Sequence, residues 1–330
     1  MRGEEGKGGL PLPRHGGEGR GEGERDQLRA YSAAGIGNFA AGFDVLGASL
    51  APVDGSLWGD IVEIEAADTP RFATVGPYAG RLPSNPNANL VVRTRDLFEQ
   101  ALGTRLPPLA LTLHKGLPVC SGLGSSAASV AATAAALNAW CGEPLDRAAL
   151  LEVAGKAEGF ASGSVHLDNV APALLGGLIL VTPAGLPRSL PFPADLRIAV
   201  ASPALSLATR KARSVLPREV PLALAVAHAE NLAGFVHALH ADDRPLLKAT
   251  LRDLLAEPWR ADLVPGFREA QQGALEAGAL GCSLSGSGPA VFAVCEEEDA
   301  PAVAAALANG FRVKTEVRIC VLDLHGARIL

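Results

Sequence analysis

The chain has 330 residues, of which 48% are hydrophobic and 19% are charged. This length and composition allow two globular domains with substantial cores. The formal net charge is −6, and no block of five or more like charges occurs. The charge pattern therefore argues against a nucleic-acid-binding protein and against attachment to a membrane surface.

The chain has five cysteines, an odd number without a C-x-x-C pair, which argues against a disulfide framework and against a zinc site. The apolar stretch at residues 170–181 is interrupted by proline and glycine, and it is shorter than the roughly 20 residues of a membrane span. The N-terminus has no apolar segment of the kind a secretory signal contains. We therefore expect a soluble, cytoplasmic protein that binds neither nucleic acid nor membrane.

The first elements follow from composition and periodicity. Residues 1–28 are a Gly/Glu/Arg mixture with little to bury, which predicts a disordered tail. Residues 60–66 (DIVEIEA) and 109–115 (LALTLHK) alternate apolar and polar residues and predict strands. Residues 89–102 have the apolar spacing of a helix.

The middle of the chain predicts two helices and two strands. Residues 125–140 are mostly alanine and favour a helix. Residues 146–158 favour another, with Asp146 as its N-cap. Short apolar runs at residues 178–181 and 196–201 predict strands.

Four prolines at residues 183–193 predict a domain boundary near residue 190, between domains of residues 29–190 and 191–330. Beyond the boundary we predict helices at residues 222–240, 245–255, 267–278 and 300–308, an apolar glycine-serine turn at 281–294, and a strand near 317–324. Both halves mix helices and strands, which indicates an α+β fold.

Residues 117–138 read LPVCSGLGSSAASVAATAAALN, a glycine-serine turn that leads into the alanine-rich helix. The start of a helix leaves backbone N–H groups unpaired and at the positive end of its dipole, where phosphate binds. Gly122 and Gly124 would let the backbone approach such a ligand, while Ser125 and Ser126 could cap the helix or bind Mg²⁺. A turn that only caps a buried helix explains the same residues equally well.

Two further glycine-rich segments accompany this turn: GIGNFAAGFDVLG at residues 35–47 and SLSGSGP at residues 283–289. Together the three resemble the motifs of the GHMP kinase superfamily, which phosphorylates small metabolites with ATP. The segments YSAAGIGNFAAGFDVLG, PVCSGLGSSAAS, GSVHLDNVAPALLGG, TRKARSVLP and AEPWRADLVPGF are similar to the homoserine kinase family. The similarity runs from about residue 29 to about residue 325.

The resemblance implies a ribosomal-protein-S5-like N-terminal domain, a ferredoxin-like C-terminal domain and an active site between them. It implies ATP as cofactor, with the phosphates on the turn and the adenine beside Asn89 and Val91. The implied nucleotide-binding residues are Asn89, Val91, Pro118, Val119, Cys120, Ser121, Gly122, Leu123, Gly124, Ser125 and Ser126.

L-homoserine carries an ammonium, a carboxylate and a primary hydroxyl, so its pocket requires an acid, a guanidinium and polar side chains. By resemblance, Asp44 would bind the ammonium, and Arg213 and Arg260 would bind the carboxylate as planar forks. The remaining implied pocket residues are Asn38, His166, Asn169 and Thr209. Glu158, with Ser125 or Ser126, would bind Mg²⁺.

Phosphoryl transfer depends mainly on positioning and on positive charge around the moving group, which the Mg²⁺ and the turn amides would supply. We expect Asn169 to orient the substrate hydroxyl and Asp168, the nearest candidate for a base, to act only through Asn169. Ala40 and Ala41 stand where this family usually has Gly-Pro, which could loosen the loop that presents Asp44.

Two alternatives stay open. Another small alcohol, such as mevalonate, a diphosphocytidyl sugar alcohol or a sugar, would carry no ammonium for Asp44 to bind. A non-catalytic nucleotide-binding module would be expected to lack Glu158 or the glycine turn, and both are present. The resemblance is also compatible with a homodimer.

Overall fold

The computed structural model describes residues 27–83, 85–162, 165–183 and 186–330. The strands are β1 Gln27–Ala33, β2 Gly35–Gly37, β3 Leu46–Pro52, β4 Gly59–Ala66, β5 Arg71–Val75, β6 Leu109–His114, β7 Leu178–Val181, β8 Pro187–Leu190, β9 Leu196–Pro203, β10 Gly281–Leu284, β11 Val291–Glu296, β12 Thr315–Leu322 and β13 Arg328–Ile329. The helices are α1 Leu90–Leu102, α2 Ser125–Trp140, α3 Arg147–Ser162, α4 Leu167–Leu175, α5 Thr209–Ser214, α6 Leu222–Ala241, α7 Arg244–Thr250, α8 Glu257–Arg260, α9 Phe267–Glu276 and α10 Ala300–Asn309.

One sheet has the order β13-β1-β4-β6-β5 and is antiparallel except for the parallel β5–β6 pair. Alternate residues of β4 and β6 are buried, as the sequence alternation predicts, and they pack against α2. No residue of α2 is exposed, because α2 lies between this sheet and the helices α1, α3 and α4. Most residues of α2 are accordingly apolar, its buried polar side chains Ser129, Thr133 and Asn138 are hydrogen-bonded, and alanine lets the neighbouring elements approach closely.

The second sheet has the order β10-β11-β9-β12-β3-β7-β8, with β2 paired to β3. Strand β12 pairs with β3, so the sheet is continuous between chain segments on the two sides of residue 190. The core is continuous as well: the ring of Phe39 lies 5.9 Å from Phe192, 6.1 Å from Phe235 and 5.1 Å from Phe292, measured between centroids. The boundary at residue 190 therefore stays a prediction.

Most predicted elements are confirmed, α2 and β7 with their predicted bounds. The predicted turn at residues 281–294 was wrong, because this segment forms an antiparallel hairpin of β10 and β11. The helix predicted to reach residue 255 ends at Thr250, and the proline-rich interval contains β8. Strand β1 begins at Gln27 within the predicted tail, whose other residues, 1–26, lie outside the described part of the chain.

Helix α6 is long and apolar enough, by length and composition alone, to cross a membrane. The sequence prediction considered only residues 170–181 in this respect. The helix packs against α7 and β8, and it buries Phe235, Ala238 and Leu239 in the core. A single helix of this kind is weak evidence for a membrane span.

Because the second sheet and its core include both halves of the chain, we expect the full chain to unfold in one cooperative urea transition. A fragment of residues 1–190 would expose the edge of β3 and the apolar face of Phe39, so we expect it not to fold. Circular dichroism in urea and dispersion of amide NMR signals would test both. A cooperative transition in the fragment would contradict this expectation.

Candidate active site

A cavity of about 750 Å³ lies where the three glycine-rich segments meet. Hydrogen bonds between the segments fix their positions: the Gly286 N–H donates to Gly37 O at 3.0 Å, and Ser285 Oγ donates to Gly122 O at 2.5 Å. The segments are far apart in sequence, so these bonds hold the two halves of the chain together around the cavity. Its size is that of a small-molecule site.

The turn before α2 places the helix N-terminus at the cavity. The N-cap is Gly124, with φ 62°, and no side chain caps the helix, so the first N–H groups are available to a ligand. A Cβ on Gly124 would have no neighbour closer than 3.6 Å, whereas a Cβ on Gly122 would lie 2.6 Å from Ser285 O. Gly122 is therefore required for close packing against the segment at residues 283–289, whereas a Cβ at Gly124 would make only ordinary van der Waals contacts.

Most of the predicted nucleotide-binding residues line the cavity. They are Asn89, Val119, Cys120, Ser121, Gly122, Gly124, Ser125 and Ser126. Val91 and Leu123 are fully buried in the core and do not line it, and neither does Pro118. Asn89 has a structural role as well, since its side chain caps α1 by accepting the Val91 N–H at 3.0 Å.

The predicted substrate-binding side chains all line the same cavity: Asn38, Asp44, His166, Asn169, Thr209, Arg213 and Arg260. Asp44 and Arg213 form a two-pronged ion pair, with Nη1 and Nη2 of Arg213 donating to the carboxylate oxygens at 3.0 and 2.8 Å. His166 Nδ1 lies 3.8 Å from Asp44 Oδ2. Two groups that the resemblance assigns to opposite ends of a substrate thus contact each other here.

Arg260 is held more rigidly than Arg213. Its side chain is buried and donates to Ala212 O at 3.1 Å and to Gly286 O at 3.0 Å. Both guanidinium groups lie against the ring of Phe43, at 5.5 Å for Arg260 and 5.7 Å for Arg213. The two cations therefore sit side by side at the cavity wall.

The loop that presents Asp44 is conformationally strained. Asn38, Phe39, Ala40 and Asp44 have left-handed backbones, with φ 68°, 37°, 57° and 59°. This conformation costs roughly 1–2 kcal/mol per non-glycine residue. The Asn38 side chain offsets part of that cost, because its Oδ1 accepts the Asp44 N–H at 3.1 Å and its Nδ2 donates to Gly286 O at 3.3 Å. The alanine at position 40 therefore adds strain, because a left-handed backbone is free of steric cost only for glycine.

Two buried carboxyl groups lie at the other side of the cavity. Burial raises the pKa of Glu158 to about 7, and the nearby charge of Asp168 adds to the increase. Burial, with a further contribution from the charge of Asp44, raises the pKa of Asp168 to about 6. Ser126 Oγ donates to Glu158 Oε1 at 2.7 Å. Near neutral pH these carboxyl groups are poised between their protonated and charged forms.

The donor set fits Mg²⁺ only together with a ligand. Asp168 Oδ1 is buried without a hydrogen-bond partner among the described residues, and Glu158 and Ser126 provide further oxygens. No group of three or more His, Cys, Asp or Glu residues in the described part of the chain could hold a metal by itself. Mg²⁺ commonly binds through one or two carboxylates together with substrate phosphates. Ser125 is the weaker candidate, since its hydroxyl is directed to Leu117 O at 3.4 Å.

The start of α4 is fixed by two glycines on neighbouring strands. A Cβ on Gly47 would lie 1.6 Å from Asp168 O, and a Cβ on Gly37 would lie 2.7 Å from Asn169 Nδ2. Asn169 Nδ2 donates to Asp168 Oδ2 at 3.2 Å. The Asn169 oxygen consequently remains available to accept a hydrogen bond at the cavity.

Sequence reasoning missed four residues at this site. Lys115 and Asp60 form a buried ion pair beneath the turn, and Arg93 lies over the exposed ring of Phe160, 4.6 Å from its centroid, at the cavity wall. A lysine directly after a half-buried strand of alternating apolar and polar residues was the one available signal. The partner of each residue is distant in sequence, so the pairs themselves were not predictable.

This fold, with an uncapped helix N-terminus and paired carboxyl groups at one cavity, is that of a two-domain α+β phosphate-binding protein. Residues 89–177 match the family described as GHMP kinases N terminal domain, and residues 235–313 match GHMP kinases C terminal. The chain belongs to the GHMP kinase superfamily, whose members use ATP.

Solved structures agree with this assignment. The homoserine kinase from Cytophaga hutchinsonii is 34% identical with a TM-score of 0.87, and the match covers 95% of this chain and 100% of that chain. A putative homoserine kinase from Listeria monocytogenes is 24% identical, with a TM-score of 0.71 and coverage of 92% and 99%. L. major mevalonate kinase in complex with R-mevalonate is 18% identical, with a TM-score of 0.67 and coverage of 88% and 94%. The last two show the shared fold alone.

Because the pKa of Glu158 is raised to about 7, its charged form is predicted to lower the free energy of unfolding at high pH. Between pH 4.5 and about 7 the folded chain binds more protons at Glu158 than the unfolded chain, so stability falls as pH rises. We expect Glu158→Gln to remove this fall and to raise the free energy of unfolding at pH 8 by up to about 3 kcal/mol. Urea unfolding at pH 5 and pH 8 would measure it.

Glu152→Gln is the matched control, because Glu152 is an exposed acid on the same helix. It should leave the pH dependence unchanged. A Glu158→Gln variant with the parent's pH dependence would show that the pKa of Glu158 is not raised.

Proposed function

We propose that the chain is a homoserine kinase, which transfers the γ-phosphoryl group of ATP to the hydroxyl of L-homoserine and forms O-phospho-L-homoserine, a step of threonine biosynthesis. The observation that carries the proposal is the Asp44–Arg213 ion pair beside Arg260, inside a cavity that also contains the uncapped start of α2. The 34% identity to the homoserine kinase from Cytophaga hutchinsonii supports it.

A zwitterionic amino alcohol matches this arrangement of charges. Its ammonium can take the place of Arg213 beside Asp44, and its carboxylate can take the place of Asp44 beside Arg213 and Arg260. The ion pair of the free protein is then replaced by two ionic contacts with the ligand, so neither Asp44 nor Arg213 is left unpaired. A ligand with a carboxylate and no ammonium could not separate Asp44 from Arg213 without leaving Asp44 unpaired.

The hydroxyl group would be oriented from α4. Asn169 Nδ2 donates to Asp168, so its oxygen can accept a hydrogen bond from the substrate hydroxyl and direct a lone pair of the substrate oxygen to the phosphorus. As the new P–O bond forms and ADP leaves, the hydroxyl proton would pass to an oxygen of the transferred phosphoryl group. Asp168 would then act as a positioning residue rather than as the base. The N–H groups at the start of α2 would hold the phosphates, and Ser126 and Glu158 would hold Mg²⁺. The metal, when bound, neutralises charge on the phosphate oxygens.

The alternative is a kinase for another small alcohol such as mevalonate. The fold shared with L. major mevalonate kinase allows it. Mevalonate has no ammonium, so Asp44 would keep Arg213 as its partner. Arg213 could then bind the substrate carboxylate only by breaking its ion pair with Asp44. A non-catalytic nucleotide-binding module fits less well, since Glu158 and the glycine turn both line the cavity.

Three further parts of the proposal concern organisation. Residues 29–190 would contribute the nucleotide-binding domain and residues 191–330 the second domain. The protein would act in the cytoplasm, where its small substrates are soluble. A homodimer is also proposed, on the family resemblance alone.

The substrate assignment is tested by ATP consumption with homoserine, mevalonate, shikimate and galactose in parallel. We expect turnover that depends on homoserine and only background rates with the other three. Turnover with mevalonate but not with homoserine would overturn the assignment in favour of the alternative. ATP binding without any phosphorylated product would favour the non-catalytic module.

Asp44→Asn should raise the KM for homoserine by about 10-fold to 100-fold, because a hydrogen bond to a charged group is worth roughly 1.5–3 kcal/mol. The KM for ATP should stay within about twofold, since the phosphate turn does not contact Asp44. Initial-rate kinetics with each substrate varied would measure both. Asp54→Asn, a change at an exposed acid outside the cavity, is the control. An unchanged KM for homoserine would remove the ammonium assignment.

Asp168→Asn should lower kcat by less than about a thousandfold, because Asp168 is proposed to position Asn169 and not to take the proton. Asn169→Ala should reduce kcat at least as strongly as Asp168→Asn, since it removes the group that contacts the hydroxyl. A larger loss for Asp168→Asn would show that the positioning assignment of Asp168 is wrong.

A further inference from the structure

A buried ion pair between Asp60 on β4 and Lys115, directly after β6, lies on the core side of the turn at residues 117–125. The exposed fraction of each side chain is close to zero, at 0% and 2%. Lys115 Nζ donates to Asp60 Oδ2, to Ser125 O at 2.8 Å and to Ser129 Oγ at 3.0 Å. Ser125 is the first residue of α2, so the ammonium is tied directly to the end of the turn.

The second oxygen of Asp60 is tied to the other end of the turn. Oδ1 accepts the N–H of Gly116 at 3.0 Å and the N–H of Leu117 at 3.1 Å. Ser129 Oγ donates to Oδ2 at 2.6 Å. One carboxylate therefore connects, directly or through Lys115, the residues at which the turn begins and the residue at which it ends.

The hydrogen-bonding capacity of both charged groups is fully used. A carboxylate offers about four acceptor sites, and Asp60 receives four donors. An ammonium has three protons, and Lys115 has three acceptors around Nζ. Burial lowers the pKa of Lys115, but the Asp60 charge opposes this, and the three acceptors match the charged form. An asparagine at position 60 would offer one oxygen and two N–H groups to four donors.

We propose that Asp60 and Lys115 are positioning residues that clamp the two ends of the phosphate turn, residues 117–125, and so fix its N–H groups before a nucleotide binds. The pair is neutral as a whole, so its contribution is geometric and not an attraction for phosphate. This inference rests on the proposed function only in that the turn binds a nucleotide, and it is independent of which alcohol is phosphorylated.

The experiment compares Asp60→Asn, Lys115→Met and the double variant. Each single change leaves a buried charge or polar group without its partner, so both should lower Tm by several degrees. The double variant removes both charges and should recover much of that loss. Calorimetric titration with MgATP, without any alcohol, should nevertheless give a Kd at least tenfold higher for all three variants.

Ser129→Ala keeps both charges paired with each other and removes the hydroxyl that contacts each of them. We expect its Kd for MgATP to rise by at least twofold, with a smaller fall in Tm than in either single charge variant. The control is Asp323→Asn with Arg328→Met, a pair of a buried aspartate and a half-buried arginine joined at 2.7 Å that does not line the cavity. It should lower Tm and leave the Kd unchanged.

The outcomes separate the clamp from the proposed function. Parent-like Kd values in the double variant and in Ser129→Ala would overturn the clamp. An equal rise of Kd in the Asp323/Arg328 control would also overturn it, since the effect would then follow stability. If the parent protein binds MgATP but does not phosphorylate homoserine, the substrate assignment is overturned and the clamp is not. If the parent protein binds no MgATP, both the proposed function and the clamp are overturned.

Discussion

The start of α2 must present backbone N–H groups to a ligand, and much of the site depends on this constraint. Among the described residues, no side chain caps this helix end. A helix end without a cap is stable only if its neighbours hold it in place. Here the holding is done from two sides. On one side, the glycine-serine segment at residues 283–289 contacts the turn through the hydrogen bond from Ser285 to Gly122. On the buried side, Asp60 and Lys115 contact Leu117 and Ser125 at its two ends. The sheet in which β3 pairs with β12 holds the segment at residues 283–289 against the turn, and it also gives the two halves of the chain one shared core.

The same cavity contains several features that lower the free energy of unfolding, and packing elsewhere in the structure offsets them. Glu158 and Asp168 are carboxyl groups buried beside each other, Asp168 Oδ1 has no partner among the described residues, and the loop from Asn38 to Ala40 has a left-handed backbone. Strain and buried charge of this kind persist only where surrounding packing enforces them. The aromatic cluster of Phe39 and the all-round burial of α2 supply that packing. The packing around the cavity thus stabilises the fold, whereas the strained loop and the buried carboxyl groups inside the cavity destabilise it.

Local sequence signals predicted what depends on local chemistry. The alanine run gave α2 its bounds, alternation gave β4 and β6, and the glycine-serine motifs indicated both the family and the residues that surround the cavity. Contacts between distant segments were not predictable in this way. Val91 and Leu123 lie next to cavity residues in sequence, yet the helix and loop geometry turns them into the core. The hairpin at residues 281–294 was missed because its glycines, serines and single proline are typical of a turn and outweigh the signal of two short strands. The pairing of Lys115 with Asp60 spans 55 residues.

The Asp44–Arg213 ion pair balances two opposite charges inside the cavity. Under the proposed function, a zwitterion that binds would exchange this one internal pair for two contacts with the ligand, and the formal charge of the complex would stay that of the free protein. Counterions in solution would then gain or lose little when the alcohol binds. The nucleotide would differ, because its phosphates would bring net negative charge to the helix end. Ionic strength should thus act unequally on the two proposed ligands, with only a small effect on the amino alcohol.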